Sequence, residues 1–488
     1  MNPRPHPSSP LFAVLLALLA AGCAQPGPRP ASPDDEVTRC RQLYAELDAR
    51  VDESGARDAG SHRVPGFPYL RSTRFLASLR DAALDGERFD TWVGHLRQQD
   101  LVARAIELQN AGAAGVREKL QRLDECAQAL ATHDFREAQQ RQRLRELVLP
   151  PSDYSVFRRM IGLYPLAVPF LNRGIRRFHE EVRRDYATPL AQLDAPGRLV
   201  LWHPPAGVQV LDPGTVAGWL SPSNEDSLGV PRLSAEQWQR LVQAYAPVWW
   251  QETNGDFDLP GVPRLPNGRP GVDSAQPVTY YLTAWTRFNG VVLPQLVYAL
   301  WFSERPPQKP LDSYAGALDG VLWRVTLARD GRPLVYDTIH SCGCYRYYFP
   351  ARPLARRPQG SAWDEPMLFP QGEVGGGPLA IRLQSATHYV RRVVPRGEVA
   401  AQESRPYELR PYAELLSLED GTGRRRSLFG RRGIVPGTAR LERFWLWPSG
   451  IHSPGAMRQW GRHATAFVGQ AHFDDPDFLD RLFVAPPR

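Results

Sequence analysis

Between position 36 and about position 194, apolar residues recur every three or four places, the interval that lines one face of a helix. Val37, Cys40, Leu43, Tyr44 and Leu47 form the first stripe, and Phe75, Leu76, Leu79, Leu96, Leu101, Ile106 and Leu108 continue the pattern. Two further stretches, 116–130 and 135–149, carry charged outer faces. Pro150 and Pro151 break the run, and Ser152-Asp153 is placed to cap the next helix. The stretch 160–175 is apolar but cut by Pro165 and Pro169, which predicts a buried hinge between domains, with a membrane-dipping segment as the other reading. From Gly197 the texture changes. Short aromatic and β-branched runs at 278–285, 293–302, 321–327, 334–349, 379–394 and 443–447 alternate with Gly, Pro and Asp clusters. Asp330-Gly331 and 420–423 read as tight turns between strands, and 475–482 as a short closing helix. The pattern predicts an α+β chain: a helical region over 36–195, then a larger, mostly antiparallel β-rich region of sandwich or open-barrel type over 196–488.

The start of the chain follows a different rule. Residues 11–21 are an unbroken apolar run closed by Gly22-Cys23. Eleven helical residues rise only about 16 Å, too short for a bilayer core of roughly 30 Å, but suited to a secretory signal. The Leu19-Ala20-Ala21-Gly22-Cys23 end resembles the lipobox of bacterial lipoproteins, with alanine where a leucine commonly stands three places before the cysteine. The resemblance implies a signal peptide over 1–22 and lipidation of Cys23 by acyl chains such as palmitate. It further implies a permanent membrane anchor and, with Ala24 next, the outer membrane facing the periplasm. Residues 23–35, rich in Pro, Ser and Gly, then read as a lipidated cysteine and flexible spacer. An ordinary cleaved signal with a chance cysteine is the plainer alternative.

The net charge is +7 across 488 residues, and the cations are almost all arginine, Lys119 and Lys309 being the two lysines. They are scattered rather than striped, which argues against a nucleic-acid partner and leaves the membrane, an envelope protein or the cell wall. Beyond Cys23, four cysteines remain: Cys40, Cys126, Cys342 and Cys344. In an oxidising compartment they can pair in three complete ways, and Cys40 with Cys126 would staple the helical region.

His340-Ser341-Cys342-Gly343-Cys344 is the strongest local constellation. Within the expected strand 334–349, alternate residues share a face, so His340, Cys342 and Cys344 would converge as soft ligands for zinc or reduced copper. Gly343 would permit the bulge needed to bring the sulfurs together, and His388 is the fourth ligand best placed by position, ahead of Asp337 and Asp319. Structural disulfides and a labile Cys342–Cys344 redox bridge are the competing readings. A second cluster holds His452, His463, His472, Asp474 and Asp475, with His463 expected on a helix and His472 paired with Asp474. No G-x-S-x-G elbow accompanies it. Glu252, Asp256 and Asp258 follow two tryptophans, and the Asn254-Gly255-Asp256 turn leaves these acids solvated on the simplest account. The order of Asp319-Gly320-Val321-Leu322-Trp323, a strand ending in His340, and Ser385-Ala386-Thr387-His388 is similar in layout to the Vps62-like and necrosis-inducing β-sandwich families. There an acidic D-W-E motif and later histidines surround a cation. Arg324 stands here where that motif has its glutamate. The resemblance covers about a quarter of the chain, implying a sandwich and supporting His388.

Three functions follow: an envelope lipoprotein with a His/Cys metal site, a non-enzymatic scaffold with structural disulfides, or a thiol-disulfide protein using Cys342 and Cys344.

Overall fold

The computed structural model describes residues 33–83, 86–207, 210–358, 361, 363–399 and 401–484. The expected signal peptide and Cys23 lie outside the described residues. So does the spacer up to position 32; from Pro33 the chain is already helical. Asp34, Asp35 and Glu36 occupy the first turn of that helix, where carboxylates meet the positive end of its dipole.

The helices Pro33–Ser54, Gly86–Asn110 and Val116–Asp134 pack with a hairpin that the helical pattern did not reveal, β1 (His62–Val64) and β2 (Phe67–Ser72). Tyr44, Phe67, Tyr69, Phe89, Trp92 and Leu130 fill the core between them. A Cys40–Cys126 disulfide ties the first of these helices to the third. Inside the same layer Arg71 is clamped by Asp100 (2.9 Å) and Glu107 (2.9 and 2.6 Å), while Arg104 takes the other oxygen of Asp100. Several arginines that make the composition basic thus neutralise acids in the interior. Arg324 and Arg458 are buried as deeply as Arg71 and Arg104.

The β-rich part is built from β3 (Arg198–His203), β4 (Val248–Thr253), β5 (Val262–Arg264), β6 (Gly271–Asp273), β7 (Val278–Phe288), β8 (Val291–Arg305), β9 (Gly316–Leu327), β10 (Pro333–His340), β11 (Tyr347–Pro350), β12 (Leu379–Leu383), β13 (Val390–Pro395), β14 (Glu403–Pro406) and β15 (Glu408–Pro411). One sheet runs β11-β10-β9-β8-β7-β15 and a second runs β13-β12-β4-β3-β14. Neighbours pair antiparallel except at β12·β4, β14·β3 and β15·β7. Leu296, Tyr298, Leu300 and Phe302 of β8, with Val321, Trp323 and Val325 of β9, face Trp202, Trp249, Ile381 and Leu383 of the second sheet. Val297, Ala299 and Trp301 on the reverse side of β8 pack under Tyr412, Leu415, Leu428, Phe429 and Met457. The larger sheet is therefore covered on both faces, which is why β8 is apolar without alternation.

Several expectations change. The run 334–349 is two strands, with a turn at 341–346. The run 379–394 is likewise a hairpin, β12 and β13. The run 443–447 begins with a short helix, Arg443–Leu446. Most consequential is 160–175. Instead of a buried hinge it joins a short helix, Val156–Ile161, to a continuous one, Tyr164–Ala187. Pro165 sits in the first turn, where no intrahelical donor is lost, and Pro169 is accommodated inside. Phe178, Val182 and Tyr186 of the long helix pack on the sandwich, so this last helix of the 36–195 region is part of the wall of the β-rich region. No helix among the described residues is long and apolar enough to cross a membrane.

Candidate functional site

The turn after β10 sets the site. Strand pairing ends at His340, whose N–H is accepted by the Cys344 carbonyl at 2.9 Å, while Gly343 donates back to the His340 carbonyl at 2.8 Å. Gly343 has φ +90°, and a Cβ there would stand 2.3 Å from the Ala464 carbonyl oxygen, so only glycine closes this turn. The same turn puts Tyr345 at φ +62° and directs it and Cys344 toward a cavity of about 890 Å³ beneath the helix Tyr164–Ala187. Phe170, Leu171, Ile175, Phe178, Tyr345 and Phe467 supply much of its apolar lining.

Two carboxyls face the same space. Burial pushes Glu442 up to about 7, although Arg305 and Arg440 pull the other way. Burial likewise raises Glu365 to about 7 against the backbone N–H groups of Phe467 and Val468 that donate to it. His179, also in the lining, is held near 4 by burial and then by Arg183. Near neutral pH the two carboxyls are only partly ionised, while Arg176, Arg346, Arg357, Arg481 and Asp364 also line the space, so the cavity joins an apolar lining to several charged and polar groups, as small-molecule sites do.

Behind Tyr345 lies a buried charge cluster. Asp319 at the start of β9 reaches His388 Nδ1 at 2.9 Å and His340 Nδ1 at 3.4 Å, the second without hydrogen-bond geometry. On its other side His388 Nε2 meets the Phe257 carbonyl at 3.2 Å and Asp258 at 3.4 Å, and the ring stacks flat on Phe302 at 3.8 Å. Burial opposes a charge on His388, but hydrogen bonds to Asp258 and Asp319 outweigh it and raise its pKa. Burial would raise Asp319, but the neighbouring His340 and the hydrogen-bonded His388 hold it well below the usual carboxylate range. Burial lowers His340. Arg305 closes the cluster toward the cavity, donating from Nη2 to the Tyr389 hydroxyl at 2.8 Å.

Of the proposed metal set, His340 and His388 are brought together through Asp319, a residue ranked low on sequence. Cys342 and Cys344 are free and buried, and the neighbouring Cys342 together with burial raises Cys344 well above an ordinary thiol. Both nitrogens of His388 are already engaged, so it has no lone pair to give while these contacts stand. Among the described residues, the ligand atoms that gather within 4.8 Å are those of Glu36, Cys40 and Cys126, and there the two sulfurs are joined as a disulfide.

No protein-family model matches this chain, and neither a curated protein nor a solved structure does.

The second cluster is dispersed. His472 turns to Asp153, accepting its backbone N–H at 3.2 Å, and to Asp475, while Asp474 pairs with Arg74 at 3.3 Å; the expected His472–Asp474 pair is not formed. His463 lies in irregular chain rather than on a helix, fully buried, and burial takes it to about 3. His452 faces Arg432. Of the acids expected in solvent, Asp256 is exposed, but Glu252 and Asp258 are inside. Glu252 binds Arg382 (2.8 Å) and Arg391 (3.0 Å), and Asp258 accepts from Asn254 N, Ser385 Oγ and Ala386 N. Asp337 pairs with Arg324 at 2.8 and 2.6 Å, so the arginine that replaces the motif glutamate has its own buried partner. Glu442, Glu365 and Arg305 had no signal in the sequence, because each acquires its role only from what packs over it.

Proposed function

We propose that this is an envelope lipoprotein, anchored through Cys23 and facing the periplasm, that holds an amphiphilic small molecule with an acyl-like apolar part in the chamber under the helix Tyr164–Ala187. The cavity of about 890 Å³ carries this reading, since it joins an aromatic and aliphatic lining to two carboxyls held near neutrality. Burial of an apolar chain supplies affinity, about 25 cal/mol per Å² removed from water, and the polar handles fix its orientation. Titration of the protein with a fluorescent fatty acid tests it. The probe should bind saturably, and Ile175→Trp, which intrudes on the apolar lining, should weaken it at least tenfold while thermal unfolding stays cooperative. Unchanged affinity in that variant would remove the cavity from the account.

A second reading keeps the metal. Both ring nitrogens of buried His340 lack hydrogen-bond partners and the thiols of Cys342 and Cys344 are unbridged, so zinc or reduced copper on these three residues would require the turn 341–346 to bring together ligand atoms that do not gather within 4.8 Å. Elemental analysis of purified protein decides it: one equivalent lost in Cys342→Ser supports the metal, and none in the wild type ends that reading.

A further inference from the structure

We propose that the rim of the cavity mouth is a membrane-docking face that seats on an anionic lipid surface. Which leaflet it meets rests on the lipid-anchor reading above; the docking itself rests on a different observation. Large apolar side chains are usually exposed singly on a soluble surface. Here they are exposed together. Phe157 is 69% exposed, Met160 70% and Phe170 78%, with Ile161, Leu163 and Leu166 between them. The helix Val156–Ile161 packs against the segment Trp447–Ser449, and a Cβ on Gly162 would lie 2.9 Å from Pro448. This brings Phe444 and Trp445, also exposed, to the same side. Phe170 and Trp445 line the cavity as well, so the apolar rim and the chamber are continuous.

The occupant follows from the order of residues along the long helix. Its exposed positions are apolar from Leu163 to Phe170, then basic at Arg173, Arg176 and Arg177. At 1.5 Å per residue the apolar part spans about 10 Å and the arginines begin about 5 Å further on. That matches a helix end dipping about 5–10 Å into the acyl boundary, with guanidinium groups at the level of the phosphates. Seven arginines and three acids lie between 156 and 187, an excess that favours anionic headgroups and disfavours a second copy of the same face. Nine residues lie between Cys23 and Pro33, so the tether spans at most roughly 33–36 Å when extended.

The test uses the chain from Ala24 to Arg488, which retains every described residue and lacks the lipidated cysteine. It should float with vesicles of phosphatidylethanolamine and phosphatidylglycerol, and at least fivefold less with phosphatidylcholine alone. Phe157→Asp/Met160→Asp/Phe170→Asp should reduce flotation at least tenfold. Arg173→Glu/Arg176→Glu/Arg177→Glu should abolish the preference for the anionic vesicles. All these positions are exposed, and unchanged circular dichroism melts confirm that both variants fold. Wild-type protein left unbound, or an aspartate variant that floats like it, overturns the docking face. So does a stable dimer in sedimentation that the aspartate variant dissolves. Fatty-acid binding in solution separates the two readings: a chain that binds the probe but ignores vesicles keeps the cavity and loses the docking face, and the converse keeps the docking face and loses the cavity.

Discussion

Asp319 holds two histidines from different parts of the chain, and its surroundings decide its charge. The folded state lowers Asp319 and raises His388, so each is stabilising over a different pH range. The Asp319 contribution is present above its unfolded value of about 3.9 and is lost as pH falls through its folded value. The His388 contribution is full below about 6.5 and is lost as pH rises through its higher folded value. Together they favour the fold most between about pH 4 and 6.5. Asp319→Asn strands His388 between Asp258 and Phe302, and should cost about 3–5 kcal/mol in urea unfolding at pH 6, with a smaller loss at pH 9. An equal loss at both values would mean that Asp319 acts by packing and not by charge.

At the scale of elements, the helix Tyr164–Ala187 and the turn 341–346 make the chamber between them. The helix contributes apolar side chains, and the turn contributes Cys344 and Tyr345. Two carboxyls raised to about 7 face the enclosed space, and the sign of their effect is the reverse of the usual surface acid. The folded state binds more protons than the unfolded state between about 4.5 and 7, so stability falls as pH rises through that window. Glu442→Gln should raise the melting temperature at pH 8, leave it nearly unchanged at pH 4.5, and flatten the profile between. A variant that melts lower at pH 8 would show that the ionised carboxyl is the stabilising form. The two prolines of this helix were legible and led to the wrong element. A proline in the first turn breaks no hydrogen bond, and the one at 169 is tolerated because packing of Phe178, Val182 and Tyr186 on the sandwich holds the helix together.

At the scale of the whole molecule, the helical layer and the sandwich share walls: Leu228, Val230 and Val292 of the β-rich region complete the core of the helical one. The Cys40–Cys126 bond closes 86 residues of chain, for which loop-closure entropy gives an upper limit of about 4–5 kcal/mol. Cys126→Ser should therefore lower the melting temperature. In the wild type, alkylation without reductant followed by mass spectrometry should find Cys342 and Cys344 modified and Cys40 and Cys126 linked. Finding Cys342 joined to Cys344 would reverse the present assignment. Sequence periodicity by itself determined the helical and β-rich halves, most strands, the turn at Asp330-Gly331, and the place of His340 and His388 in the β-rich half, while the Cys40–Cys126 bond belonged to one of the three complete pairings it allowed. The determined features depend on spacing of two or three to four residues or on turn chemistry, all local to the chain. Only the tertiary structure decided that His388 is held by Asp258 and Asp319, that Cys342 and Cys344 leave the histidines, that Glu442 and Glu365 share a chamber, and that the apolar segment after Pro151 faces outward. Burial and charge compensation arise from residues tens to hundreds of positions apart, and no local pattern encodes which of them will meet.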